Sequence, residues 1–272
     1  MTGMTWDELQ AASGAKLRSG KLSGRADVPG ITTDTRKIAP GDLFVALRGE
    51  NFDGAEFAAE ALAKGAKAVL VNAELSSSPE AALKKAKGAV LTVPDTLKAY
   101  QEIAHAWRMK FDIPVVAVTG SNGKTTTKDL TAAVLSGRGK VCRTAANYNN
   151  EVGLPLTLLG ITSEDTAAVV EIGMRGLGQI AALAPVAAPT IGIVTNVCEV
   201  HMELLGSIEN IAKAKAELAE AVPAGGTVIL NADDERVAAM RSCAADGVHV
   251  LTYGISAAAD VRAEALRCGA GG

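Results

Sequence analysis

Short apolar runs alternate with polar, helix-length stretches along most of this chain. Before Pro94, the runs Leu43–Leu47, Ala66–Val71 and Val90–Val93 predict strands. Ala55–Ala63 predicts a helix that stops near Gly65, Ser76–Pro79 marks a loop, and Pro94–Thr96 opens a helix running on to Phe111. After Pro114 the pattern becomes regular. Val115–Val118, Val141–Arg143, Ala168–Val170, Thr190–Val194 and Thr227–Leu230 are continuous apolar runs separated by helical stretches. Unbroken runs of this kind fit parallel strands covered on both faces. The expected fold class is therefore α/β, with a small α/β domain over residues 1–94. A doubly wound, mostly parallel domain is expected over residues 95–272.

In open parallel sheets, ligands bind beyond the carboxyl ends of the strands. The residues following the five runs are Gly120–Thr126, Asn147–Asn150, Glu171, then Thr195, Asn196 and His201, and finally Asn231, Asp233 and Asp234. The first group is the most specific. TGSNGKTT (Thr119–Thr126) sits between an apolar strand and a helix start, and Gly120 and Gly123 let backbone N–H groups turn toward phosphate oxygens. Ser121 and Asn122 complete the loop. The helix start adds its positive end, Lys124 can reach the terminal phosphates, and the Thr125 hydroxyl can ligate Mg²⁺, with Thr126 behind it. The usual Walker pattern places glycine where this chain has Val118.

Glu171, at the end of its run, is either a magnesium-holding carboxylate or an ordinary solvated strand end. Ser207 can cap a helix from Ile208 to about Val222, and Ile208, Ile211, Leu218 and Val222 share one face of it. Lys215 falls within that stripe, with Lys213 and Glu217 pointing elsewhere. It is either a lysine snorkelling from a core edge or a desolvated amine able to take up CO₂ as a carbamate metal ligand. His201, one loop earlier, is a hydrogen-bonded structural residue or a further ligand.

Composition narrows the partners. Aromatics are 3% and the net charge is −3, which points away from nucleic acid and from a membrane surface. The four cysteines, Cys142, Cys198, Cys243 and Cys268, form no CxxC pair, and no signal-like pattern opens the chain. A cytoplasmic protein is expected.

The phosphate loop resembles the TGxNGKTT loop of the Mur ligases, relatives of the folylpolyglutamate synthetases, whose spacing also departs from the Walker pattern. The resemblance implies that Lys124, Lys215 and His201 are catalytic. It implies that Glu171, His201 and a carbamylated Lys215 hold two Mg²⁺ ions with Thr125, and that Asn231 contacts adenine. NYNNEVGLP (Asn147–Pro155), EIGMRG (Glu171–Gly176) and NVCEVHME (Asn196–Glu203) look like the members that add D-alanyl-D-alanine. TDTRKIAPGDLFVAL (Thr33–Leu47) and GENFDG (Gly49–Gly54) resemble the family's UDP-binding domain, with Thr33, Asp34, Thr35 and Arg36 as substrate contacts. Without the resemblance, Asp34–Arg36 reads equally as a surface turn with a local ion pair. Asn147, Asn149 and Asn150 are further substrate candidates. The implied reaction is ATP-dependent. A UDP-N-acetylmuramoyl-tripeptide is activated as an acyl phosphate and attacked by D-alanyl-D-alanine, on a monomer with no nucleic-acid or membrane partner. These ligases have three domains, so the chain is expected to stop before the end of the central one. Alternatives are another Mur or polyglutamate-type ligase, or a fragment that binds ATP or the UDP-linked precursor without turnover. A GTPase is disfavoured by the lack of an N-K-x-D stretch.

Overall fold

The computed structural model describes residues 3–49, 52–200, 202–255 and 259–265, and the chain divides into two compact units, Met1–Lys110 and Phe111–Gly272. The first unit opens with helix α1 (Trp6–Ser13), whose Thr5 and Glu8 form a reciprocal capping box. Its sheet contains β1 (Lys16–Ser19), β2 (Ile31–Thr32), β3 (Leu43–Val45), β6 (Ala68–Asn72) and β7 (Ala89–Val93), in the order β1-β7-β6-β3-β2. Only β1 is antiparallel to its neighbour. A separate hairpin pairs β4 (Arg48–Gly49) with β5 (Phe52–Asp53). Helices α2 (Ala58–Ala63) and α3 (Ser77–Lys85) supply Ala58, Ala61, Leu62 and Leu83 to a core with Phe44, Val69, Val71 and Val90.

Helix α4 (Thr96–Arg108) packs on α1 and on β6, and it belongs to the first unit. The boundary therefore falls after Lys110, not near residue 94 as the sequence suggested. A strand-to-helix turn at Pro94 reads like a linker, but Tyr100, Ile103 and Ala104 of the helix are fully buried there.

The second unit holds β8 (Val115–Thr119), α5 (Lys124–Leu135), β9 (Lys140–Arg143), α6 (Gly153–Leu158), β10 (Asp165–Glu171), α7 (Gln179–Ala187) and β11 (Ile191–Val194). There follow α8 (Met202–Leu205), α9 (Ile208–Ala221), β12 (Thr227–Asn231), α10 (Glu235–Ala239), β13 (His249–Gly254) and β14 (Val261–Arg262). The sheet order is β14-β13-β12-β11-β8-β10-β9, seven strands rather than the five expected, and every pairing is parallel. The sheet ends at β14, which pairs with β13 through Val261 and Arg262.

Val116, Val118, Val169 and Ile193 meet Ala132 of α5 on one face. A side chain at Gly192 would run into Leu218 and Val222, so the opposite face of β11 carries α9. Helices on both faces of a parallel sheet make a doubly wound fold. From β8 the chain crosses to β9 at one edge, whereas from β11 it proceeds through β12 and β13 toward the other. Because β8 and β11 are neighbours, the winding reverses between their carboxyl ends, and a ligand crevice is expected there.

Candidate nucleotide site

The strand register brings the predicted residues to one edge. Glu171 ends β10 opposite Val118, Val194 lies opposite Thr119, and Leu230 lies opposite Val194. Thus Glu171, the Gly120 turn, Thr195 and Asn231 follow one another across four adjacent strands.

The loop Gly120–Gly123 is shaped against the end of β11. Ser121 N–H donates to the Asn196 carbonyl at 2.9 Å, and Asn122 N–H to Asn196 Oδ1 at 2.8 Å. Thr195 Oγ1 donates to the Asn122 carbonyl at 2.6 Å. The Ser121 hydroxyl accepts from Cys198 N–H at 2.8 Å. Gly120 has φ +149°, and a Cβ there would come within 1.8 Å of Thr195 Oγ1, so only glycine fits without rearrangement. Gly123, at φ 78°, begins α5, and no side chain among the described residues caps that helix. Its first N–H groups and dipole are therefore available to an anion.

Lys124 folds across the loop, with Nζ donating to the carbonyls of Gly120 (2.8 Å) and Ser121 (3.1 Å). Burial lowers its pKa, an effect opposed by the negative field of Glu171. Thr126 is exposed on the first turn of α5.

Glu171 is not a solvated strand end. It is 2% exposed, and both carboxylate oxygens are engaged. Thr125 Oγ1 donates to one at 2.8 Å and Asn149 Nδ2 to the other at 2.6 Å. Asn149, expected at a substrate, thus sits on the buried carboxylate. Asn150 instead accepts from the N–H groups of Val152 (3.3 Å) and Gly153 (2.9 Å) at the start of α6, and Asn147 is exposed. A hydroxyl and a carboxylate side by side are hard oxygen donors of the sort Mg²⁺ takes, usually with few protein ligands and the rest from phosphate and water. Among the described residues no group of three or more His, Cys, Asp or Glu gathers as a metal cluster.

Lys215 lies on α9, which is capped by Ser207 accepting from Asn210 N–H at 3.2 Å. It is 2% exposed, so the snorkelling alternative fails. Its pKa is lowered to about 8, first by desolvation and then by the positive field of Lys124. Helix α9 packs against β8, the strand that leads into the loop. Of the neighbours of Lys215 in the helix, Lys213 is exposed, while Glu217 accepts from the N–H groups of Gly178 (2.6 Å) and Ala181 (2.9 Å) at the start of α7. The Thr119 hydroxyl is buried and unpartnered among the described residues. Val118 faces α5, so Thr119 is turned toward the α9 side. His201 lies outside the described residues.

Asn231 donates to the Thr195 carbonyl at 2.9 Å and accepts from Asp233 N–H at 3.0 Å, tying the ends of β11 and β12 together. In the first unit, Arg36 is paired locally: its Nε and Nη2 reach Asp34 at 2.9 and 2.8 Å. Asp34 Oδ1 also accepts the Arg36 N–H at 3.0 Å, Thr35 starts the short turn that follows, and the Arg36 side chain holds the Asp34 carboxyl well below its usual range. These contacts make a local turn and ion pair, and Thr33 precedes it at intermediate exposure.

Sequence reasoning missed Thr144 and Lys128. The Thr144 hydroxyl accepts the Glu171 N–H at 3.0 Å, and the Lys128 ammonium donates to the Thr144 carbonyl at 2.9 Å. Lys128 lies one turn beyond Lys124, on the helix face toward β9 and β10, which the helical period alone would have marked.

A parallel, doubly wound sheet with a glycine loop and an uncapped helix at its winding reversal defines a nucleotide-binding α/β protein. The family comparisons are more specific: the Mur ligase middle domain matches residues 118–272, and the catalytic domain of the Mur ligase family matches residues 27–108. The chain belongs to the Mur ligase family. It is 51% identical over 213 residues to the UDP-N-acetylmuramoyl-tripeptide–D-alanyl-D-alanine ligase of Synechocystis sp., covering 78% of this chain and 46% of that protein. The ligase of the same name from Escherichia coli is 43% identical, covering 80% and 46%. Among solved structures, MurF from Acinetobacter baumannii superposes with a TM-score of 0.85 at 29% identity, covering 96% of this chain and 54% of that one. MurF ligase from Thermotoga maritima in complex with ADP gives 0.71 at 29% identity, covering 83% and 50%. The chain thus spans about half the length of the relatives it matches.

Among the described residues, no helix is long and apolar enough to cross a membrane.

Proposed function

We infer that this chain carries the nucleotide half of an ATP-dependent ligase that joins D-alanyl-D-alanine to a UDP-N-acetylmuramoyl-tripeptide. The observation that carries the reading is the meeting of Thr125 with buried Glu171 at 2.8 Å, beside the Lys124 loop and the open start of α5. The names of the Synechocystis and E. coli relatives supply the two substrates, and the ADP complex of the T. maritima relative supplies the nucleotide.

In this reading the N–H groups from Gly123 into the first turn of α5 bind the β- and γ-phosphates. Lys124 neutralises charge as the γ-phosphoryl group passes to the tripeptide carboxylate, giving an acyl phosphate and ADP. The amine of D-alanyl-D-alanine then attacks the acyl carbon, and phosphate leaves. Thr125 and Glu171 would hold Mg²⁺, whose role when bound is to offset phosphate charge. Neutral Lys215 can attack CO₂ through Nζ and release a proton, giving a carbamate whose oxygens would join a second Mg²⁺ site with His201. Asn231 keeps one N–H and one lone pair beyond those already used, enough for an adenine edge. Thr33–Arg36 are assigned to the UDP-linked substrate, with Asn147 and Asn150 beside the loop that carries Asn149. The chain is taken to work as a cytoplasmic monomer.

The test is phosphate release from ATP with the UDP-linked tripeptide and a panel of amino components. Stimulation by D-alanyl-D-alanine alone is the expected result. Stimulation by a single amino acid instead would reassign the chain within the family. Tight ATP binding with no turnover under any combination would keep the nucleotide site and refute ligation by this chain.

A further inference from the structure

One buried cation beside the candidate site is used by no step of that reaction. Lys128 is 3% exposed and lies one helical turn beyond Lys124 on α5. Its Nζ donates to the Thr144 carbonyl at 2.9 Å and stands 3.3 Å from the Asp129 carboxylate, which also takes Arg143 Nη1 at 2.6 Å. A buried ammonium is tolerated only when hydrogen-bonded. Thr144, fully buried after β9, donates its N–H to the Val169 carbonyl at 3.1 Å and accepts the Glu171 N–H on its hydroxyl at 3.0 Å. Helix α5 therefore reaches Glu171 by two routes. Thr125 meets the carboxylate directly, and Lys128 acts through Thr144 on the backbone.

We propose that Lys128 and Thr144 are positioning residues for the divalent cation that accompanies the nucleotide. Together they fix the Glu171 backbone against α5, so that its carboxylate and the Thr125 hydroxyl stay at the spacing one magnesium ion requires. The inference rests on the reading of Thr125 and Glu171 as magnesium ligands. Partners of this kind, one step removed from the metal, orient the ligand itself, and their loss weakens metal binding about 10- to 100-fold.

The experiment measures, by calorimetry on the whole chain, the affinity for a non-hydrolysable ATP analogue with and without Mg²⁺. The ratio of the two affinities is the metal-dependent gain. Thr144→Val keeps the side-chain shape but removes the acceptor, and Lys128→Met keeps the length but removes the charge. Each is expected to cut the ratio about tenfold, and Thr144→Ser to restore it to within about twofold. Hydrogen exchange of the Glu171 amide supplies a reading free of ligand: it should quicken in Thr144→Val and return to the original rate in Thr144→Ser. Folded variants that keep the full ratio and the slow exchange overturn the positioning role. Glu171→Gln separates the two ideas. If it collapses the ratio while Thr144→Val and Lys128→Met do not, only this inference falls. If it leaves the ratio intact, or if the chain binds no nucleotide, the magnesium reading fails and takes this inference with it.

Discussion

Lys215 shows how a residue proposed for the site can work against the stability of the fold that holds it. Its pKa is lowered from 10.5 to about 8 because the folded chain desolvates the ammonium and sets it near Lys124. Between those two values the unfolded chain binds more protons than the folded one, so stability rises with pH across that window. Below about pH 8 the lysine is charged in both states and the full penalty of burial stands. Lys215→Met, similar in length and uncharged, is therefore expected to be more stable than the parent at pH 7 in CO₂-depleted buffer, by roughly 1–3 kcal/mol. The advantage should shrink as pH approaches 10.5. Urea unfolding of both proteins across that range checks it, and a Met variant no more stable at neutral pH would show that desolvation is not what shifts the lysine. A stability gain joined to lost nucleotide chemistry would mark the residue as kept for function.

At the scale of elements, the turn from β8 into α5 is the most constrained segment of the site. Gly120→Ala would drive a Cβ to 1.8 Å from Thr195 Oγ1 at a φ of +149°. The change is expected to destabilise the second unit by about 1–3 kcal/mol through strain and overpacking, and to weaken nucleotide binding in parallel. Adding Thr195→Ala should recover the steric part only, since the backbone conformation still favours glycine. Thermal unfolding of the single and double variants tests this, and a single variant as stable as the parent would refute the close approach. This turn was readable from TGSNGKTT, and α9 from Ser207 and its apolar stripe, because each is a local pattern with one physical cause. The strands β8, β10 and β11 were readable because burial on both faces makes them nearly continuously apolar, and β12 because its Val228, Ile229 and Leu230 form an apolar run even though its burial alternates. Elements without that signature were missed. Strand β1 is exposed at every position, and β13 at the far side of the sheet mixes His249, Thr252 and Tyr253 with apolar residues. Helix α1 carried a legible sign in Thr5 and Glu8 that its weak apolar face obscured. What spacing could not show is pairing across strands. That Asn149 meets Glu171, while Asn150 caps α6, depends on register and loop path rather than on residue type.

At the scale of the whole molecule, the two units are expected to differ in which ligands they bind. The hydrogen bonds described for the Lys124 loop and for Glu171 come from residues 111–272, and that unit has its own sheet and core around Val116, Val118, Val169 and Ile193. The first unit likewise has a complete sheet, with a core around Phe44, Val69 and Val71, and an outer ion pair from Lys110 to Glu8 at 2.6 Å. A compact unit with its own core can fold alone. Residues 111–272 expressed separately are thus expected to fold cooperatively and to bind an ATP analogue within about threefold of the whole chain, a difference under about 1 kcal/mol. Residues 1–110 should bind no ATP, and any uridine nucleotide bound by the whole chain should follow them instead. Calorimetry on the two pieces and on the intact chain decides the matter. If ATP affinity falls more than about tenfold in 111–272 while its sheet stays folded by circular dichroism, the reading that this unit holds the nucleotide on its own fails.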